Sequence, residues 1–251
     1  MVTGATSGMG LEYARQLAAL GCDVLIVSNQ EERLGPVATE LHDQFGVRTC
    51  FLSKDLASTT AAQEVFDYCL RNNLEINILV NNAGMFFFEE QSEANFAKGE
   101  KMRLLHIETP TRLTLLFSEE MKKHRCGYIL NMSSMAAKIP APGLTFYAAT
   151  KAYLRSFTKS MYFELKPYGV GITAVCPGAV ATPLYNLSEP KQKLAVRIGV
   201  MRTPRRLVKS ALRALFRNRR CVTPGFINHI APGAVNALPH WCVMEIWRKV
   251  R

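Results

Sequence analysis

A length of 251 residues with 48% apolar side chains suits one α/β domain with a sizeable core, read as residues 1–251, and excludes a disordered chain. Seven scattered cysteines, odd in number and without a C-x-x-C pair, argue against a disulfide framework and against zinc, so no metal site is expected. The formal charge of +11 is uneven: residues 1–189 hold 17 Lys+Arg against 19 Asp+Glu, and residues 190–251 hold 14 against Glu245 alone. The excess therefore sits in the last quarter and speaks of partners, not of fold. No stretch has the length of a membrane span and no signal peptide is visible, so a reducing cytoplasm is the expected setting, with weak association of the basic quarter with a membrane surface held open.

The chain opens with Met1-Val2-Thr3-Gly4, which leaves two or three residues for a first strand that normally needs about five. The natural start is therefore expected upstream. Gly4-Ala5-Thr6-Ser7-Gly8-Met9-Gly10 follows, with G-x-x-x-G-x-G spacing, and leads into a helix from about Leu11 to Leu20. Glycines let the backbone turn tightly against a pyrophosphate, and the helix N-terminus adds free N–H groups and positive potential. Asp23–Val27 reads as a second strand that ends at Ser28-Asn29, residues 31–45 as a charged helix, and Val47–Leu52 as a third strand. Asp55 and Leu56 come just after it, and Asp55 lies close enough to a helix start near Ser58 to serve as a cap.

Ile76–Val80 is an apolar strand closed by Asn81-Asn82-Ala83-Gly84. A long helical stretch from about Asn95 to Lys123 contains Pro110, where a kink is expected. Tyr128–Met132 is the next strand, and a loop carrying Ser134 follows it. A helix begins near Phe146 and runs to Leu165, stopped by Pro167 and Gly169. Tyr147 and Lys151 are four apart and share one face of it. An ammonium beside a phenol stabilises the phenolate and lowers a pKa that is normally about 10, which makes a proton donor near neutral pH. Gly171–Cys176 is a sixth strand, followed by Pro177–Pro183 and a loop over Leu184–Ile198. Pro204 opens an amphipathic helix with Leu207, Val208, Ala211, Leu212, Leu215 and Phe216 on one face and Arg205, Arg206, Lys209, Arg213 and Arg217 around the rest. This alternation of strand and helix predicts a doubly wound, mostly parallel sheet with helices on both faces.

The glycine turn, Asn81–Gly84, Ser134 thirteen residues before Tyr147, Lys151 and Pro177-Gly178 together resemble the short-chain dehydrogenase/reductase family in its single-domain form. The resemblance covers roughly residues 1–185 well and the rest loosely. The tail Cys221–Asn228 is loosely similar to the branch containing hydroxysteroid dehydrogenases and long-chain ketoacyl reductases. It implies a Rossmann-type fold and hydride transfer between NAD or NADP and a carbonyl or secondary alcohol. Tyr147 would be the general acid in reduction and base in oxidation. Lys151 would lower its pKa and hold the nicotinamide ribose, and Ser134 would orient the substrate oxygen. Gly4, Thr6, Ser7, Gly8, Met9 and Gly10 would cradle the phosphates, and Asp55 and Leu56 would meet the adenine. Asn81, Asn82, Ala83 and Gly84 would lie along the cofactor, the small residues admitting it and the Asn side chains able to tie the neighbouring strand, with Pro177, Gly178, Val180 and Thr182 at its nicotinamide end.

Neither a carboxylate nor an arginine stands at Ser28-Asn29, the point where such folds choose between cofactors, so the lean is mildly to NADP. The family places an asparagine where this chain has His106, which would support the same water, relay protons itself, or be a buried histidine without a role. The apolar stretches Met85–Phe88, Met135–Leu144 and Leu184–Ile198, the last read as a lid, suit a lipid-like substrate of steroid or acyl type. The basic quarter would favour an anionic one, and the resemblance implies a homodimer or homotetramer. Nucleic acid is not expected, because no aromatic-basic or helix-turn-helix signature is present. The rival readings are a dinucleotide-binding sensor or scaffold that has lost turnover, and a peripheral membrane-surface binder.

Overall fold

The computed structural model describes residues 1–181 and 201–250. Short runs of Val, Ile and Leu bounded by glycine and polar residues form the strands: β1 (Val2–Thr3), β2 (Val24–Ser28), β3 (Thr49–Ser53), β4 (Ile78–Asn81), β5 (Gly127–Met132), β6 (Val170–Val175) and β7 (Cys221–Val222). They lie in the order β3-β2-β1-β4-β5-β6-β7, and every pairing is parallel. β2 and β6 are buried along their whole length, as strands covered on both faces must be.

The helices cover both faces. α1 (Gly8–Ala18), α2 (Glu31–Phe45) and, near the C-terminus, α7 (Pro204–Phe216) pack Tyr13, Leu17, Leu34, Leu41, Leu207 and Leu212 on one side. α3 (Ala61–Arg71), α5 (Thr109–His124) and α6 (Thr145–Leu165) pack Val65, Cys69, Leu113, Phe117, Met161 and Leu165 on the other. Successive residues of a strand serve opposite layers: Ile129 belongs to the second core and Leu130 to the first. Each such fully buried side chain is worth about 1.5–3 kcal/mol over the exposed state, so a slip of register by one residue would be prohibitive. The other α-helices among the described residues are α4 (Phe96–Arg103), α8 (Phe226–Asn236) and α9 (His240–Val250). No helix among the described residues is long and apolar enough to cross a membrane.

Several boundaries differ from the sequence expectation. α1 begins at Gly8, inside the glycine turn. The long stretch around Pro110 is not one kinked helix: a π-turn over Leu104–Glu108 separates α4 from α5, and Pro110 sits harmlessly in the first turn of α5. Asp55 does not cap α3, which starts only at Ala61; its carboxylate accepts from the Ala57 N–H at 3.0 Å. In α7 the basic residues are exposed and the apolar face is buried, except that Phe216 is 38% exposed and packs its ring 5.3 Å from Tyr128. α6 runs on into a 3₁₀ turn (Lys166–Tyr168) that Gly169 ends at φ 74°, where a Cβ would stand 2.6 Å from the Arg125 carbonyl oxygen.

Candidate active site

Strand order reverses between β1 and β4, and a cleft of about 530 Å³ opens above the C-terminal ends of the strands there. One wall is the glycine turn. Gly4 and Gly8 have φ of 64° and 54°, and a Cβ on Gly10 would lie 2.0 Å from the Gly4 carbonyl oxygen. Only glycine at position 10 lets α1 start this close to β1. Ser7 caps α1 without a side-chain bond to its amides, and no acid occupies the first turn, so the first N–H groups remain available to an anion. Thr6, Ser7, Gly8 and Met9 line the cleft beside them. Opposite, Asn82 donates from Nδ2 to the Thr3 carbonyl at 3.0 Å, while its buried Oδ1 has no partner among the described residues. The cradle, the free amides and this spare acceptor fit the phosphates and polar edges of a dinucleotide.

At one end lie Ser28, Asn29, Asp55 and Leu56. Ser28 is buried; its hydroxyl sits 3.0 Å from that of Thr6 and accepts from the Gln30 N–H at 3.2 Å. Asn29 is exposed. Two lysines not singled out from the sequence also line this end: Lys54, ion-paired with Glu64, and Lys101, 3.6 Å from Asp55. Lys54 is readable in hindsight as the residue leaving the end of β3; Lys101, on α4, has no local signal.

At the other end, Ser134 caps a single 3₁₀ turn (Met135–Lys138), accepting from the Ala136 N–H at 3.1 Å, and α6 turns Tyr147, Thr150 and Lys151 inward. Ser134, Tyr147 and Lys151 all line the cleft. The Lys151 ammonium donates to the Met132 carbonyl at 2.9 Å and lies 5.8 Å from the Tyr147 ring centroid. Burial pushes its pKa down to about 8, which leaves it mostly protonated at neutral pH. The Tyr147 ring meets Phe86 edge-on at 5.2 Å and His106 at 5.8 Å.

The π-turn delivers His106 into the cleft wall, 1% exposed. Its Nε2 accepts from the Met85 N–H at 3.0 Å. A neutral ring then carries its proton on Nδ1, which donates to the Thr150 hydroxyl at 3.1 Å, and Thr150 donates onward to the Tyr147 carbonyl at 3.0 Å. Burial, and then the charge on Lys151, hold the imidazole well below its usual pKa. Both ring nitrogens are occupied and the ring is neutral, an arrangement suited to positioning and ill suited to proton relay. His106→Gln is accordingly expected to keep every ionisation of the parent's kcat/KM profile between pH 6 and 9; loss of one would reinstate a relay.

Two of the residues expected to bind the cofactor do not line the cleft. Asn81 points into the sheet, where its Nδ2 donates to Asn131 at 2.8 Å, and Gly10 acts through the Cβ it lacks. Asn82, Ala83, Gly84, Pro177, Gly178 and Val180 do line it, and the Pro177 carbonyl accepts from the Met135 N–H at 2.8 Å, tying that loop to the Ser134 turn. Thr182 and the Leu184–Ile198 loop lie outside the described residues. Nearby, Trp247 of α9 packs 6.0 Å from the Phe88 ring, and a Cβ on Gly143 would meet both. No motif in the tail signals Trp247.

The chain's sequence and shape match known proteins. A family model described as short chain dehydrogenase matches residues 1–193. The very-long-chain 3-oxoacyl-CoA reductase of Homo sapiens is 32% identical over 98% of this chain and 77% of its own length. A short-chain dehydrogenase from Sphingobium yanoikuyae solved in complex with NADPH superposes with a TM-score of 0.78 at 27% identity, covering 95% of each chain. A 7beta-hydroxysteroid dehydrogenase superposes with a TM-score of 0.84 at 26% identity over 94% of this chain and 90% of its own.

Proposed function

Because the chain belongs to the short-chain dehydrogenase family and is thus an NAD(P)-dependent oxidoreductase, we propose that it reduces the ketone of a long-chain, acyl-type substrate, using Tyr147, Lys151 and Ser134. The observation that carries the reading is the burial of Tyr147 and Lys151 on one face of α6, in the cleft that Ser134 also lines. A bound nicotinamide cofactor supplies the hydride. Tyr147 hands its phenolic proton to the carbonyl oxygen in reduction and takes it back in oxidation. The adjacent ammonium of Lys151 stabilises the phenolate left behind. Ser134 donates a hydrogen bond to the same substrate oxygen, and Lys151, Asn82 and the α1 amides hold the cofactor. This complete set favours turnover over a sensor that has lost it.

The acyl class is supported by the apolar side chains beside Tyr147, by Phe86, Phe88 and Trp247, and by the similarity to a reductase of very-long-chain 3-oxoacyl-CoA. The exposed Arg205, Arg206, Lys209, Arg213 and Arg217 favour an anionic substrate. The lid and basic tail are read as parts of one domain. The test is NADPH consumption against 3-oxoacyl thioesters of increasing chain length, steroid ketones and small ketones. Rising kcat/KM with acyl length is the expected result. Turnover of steroid ketones alone would move the substrate to the hydroxysteroid class, which the 7beta-hydroxysteroid dehydrogenase likeness favours. Absence of turnover with every ketone would sink the proposal.

NADPH is the preferred cofactor in this reading. No carboxylate stands at Ser28-Asn29 to repel a 2′-phosphate, and Lys54 adds a cation at that end of the cleft. Ser28→Asp is expected to lower the NADPH-to-NADH ratio of kcat/KM at least tenfold, about 1.4 kcal/mol. An unchanged ratio would place the 2′-position elsewhere.

A further inference from the structure

Cys176 stands between the end of β6 and Pro177, and Cys221 opens the edge strand β7. The register that pairs Ala174 with Cys221 and Val175 with Val222 brings the two sulfurs to 3.8 Å. A groove beside β7 exposes Cys221 to solvent, lined also by Arg155 and Lys159 of α6, by Arg219 and Arg220, and by Thr223. Among the described residues no carboxylate lines it. Lys138, just beyond Ser134, reaches the same spot and donates to the Thr223 hydroxyl at 2.8 Å. We propose that Cys221 and Cys176 form a peroxide-sensitive thiol pair, in which Cys221 is the attacking thiolate and Cys176 the resolving thiol.

The surroundings divide the roles. The hydrogen bond shared with Cys176, then the charges of Arg155 and Lys138, hold the Cys221 thiol below its usual range against the opposing effect of its partial burial. Cys176, buried and sharing that bond, is held well above its usual range. A thiolate in an electropositive, partly open basin is the nucleophile that a peroxide meets first.

The chemistry balances with hydrogen peroxide as oxidant. The Cys221 thiolate attacks the O–O bond; an S–O bond forms, hydroxide leaves and takes a proton to become water, and the sulfur is oxidised to the sulfenic acid. The Cys176 sulfur then attacks Cys221; an S–S bond forms, the S–O bond breaks, and the departing hydroxyl leaves as water with the Cys176 proton. The sulfurs must close from 3.8 Å to about 2.05 Å; because Cys221 pairs with Ala174, two residues before Cys176, the thiols face each other on a diagonal, and closure needs a shift of the two-residue edge strand β7 as well as side-chain rotation.

The experiment uses the intact chain and needs no substrate, so it stands apart from the proposed reduction. Cys126, which is exposed, serves as internal reference. At pH 6.5 iodoacetamide is expected to label Cys221 about tenfold faster than Cys126, because the thiolate is the reactive form and the cations around Cys221 favour it. Hydrogen peroxide is expected to yield a peptide joining Cys176 to Cys221, with loss of one pair of hydrogens. Cys176→Ser should stop at a sulfenic acid on Cys221, trapped by dimedone, and Arg155→Met should slow labelling of Cys221 severalfold. The proposal is overturned if Cys126 reacts first, or if peroxide leaves the pair unlinked. Should Cys176→Ser fail to fold, peptide mapping of the unmodified chain decides alone.

Discussion

Tyr147→Phe is expected to lower kcat by at least ~10²-fold, the usual contribution of a positioned general acid, while NADPH binding measured by fluorescence titration stays within about twofold. The substitution removes one oxygen and leaves the ring, which packs on Phe86 at 5.2 Å and on His106 at 5.8 Å. Folding should therefore survive it, and a lost rate can be assigned to the proton. The effect should fall on kcat, because the hydroxyl acts where charge develops on the substrate oxygen. Turnover close to the parent's would remove Tyr147 from the mechanism and with it the reading of the whole cleft.

Lys151→Met should cost at least as much activity and yet make the cofactor-free protein more heat-stable. Lys151 is 5% exposed, and burial lowers its pKa from 10.5 to about 8. A cation whose folded pKa lies below its unfolded value is a liability at low pH. The unfolded chain binds the extra proton between about pH 8 and 10.5, so stability contributed by this group rises with pH across that window and the penalty is fully present below it. The shift corresponds to about 3 kcal/mol, reduced by loss of the bond to the Met132 carbonyl. A gain of a few degrees in Tm at pH 7, shrinking towards pH 10.5, is the expected pattern. A destabilised variant, or a gain independent of pH, would show that the buried charge carries no such cost.

These two side chains were legible because their chemistry is local: four residues apart on a helix fixes a common face whatever the tertiary fold. The glycine turn was legible for the same reason, since spacing alone dictates which residues can lack a Cβ. The strands could be read as apolar runs, and their parallel order from the alternation with helices. What escaped depends on distant chain. Asn81 and Asn82 are neighbours in one motif, yet the strand's alternation sends one side chain towards Asn131 and leaves the other beside Thr3, and the motif does not say which. Lys101 and Trp247 reach the cleft and its neighbourhood from helices whose own pattern gives no hint of it. The Cys176–Cys221 contact needs the register of two strands 45 residues apart. The π-turn was invisible because a single additional residue hardly disturbs a helical pattern of apolar positions.

That additional residue separates two jobs along one stretch of chain. A regular helix advances about 100° per residue, so the wide turn leaves α4 and α5 out of phase by roughly that angle. α5 presents Leu113, Phe117 and Met121 to the core. α4 instead faces the start of α6, with Phe96 6.4 Å from Phe146 and Gly99 lying so close that a Cβ would meet the same ring at 2.5 Å. Substitutions on α4 can thus reshape the ground in front of the reacting groups without disturbing the phase of α5 against the sheet. In evolutionary terms the joint is a seam: the region that meets new molecules can diversify while the scaffold behind it is inherited unchanged.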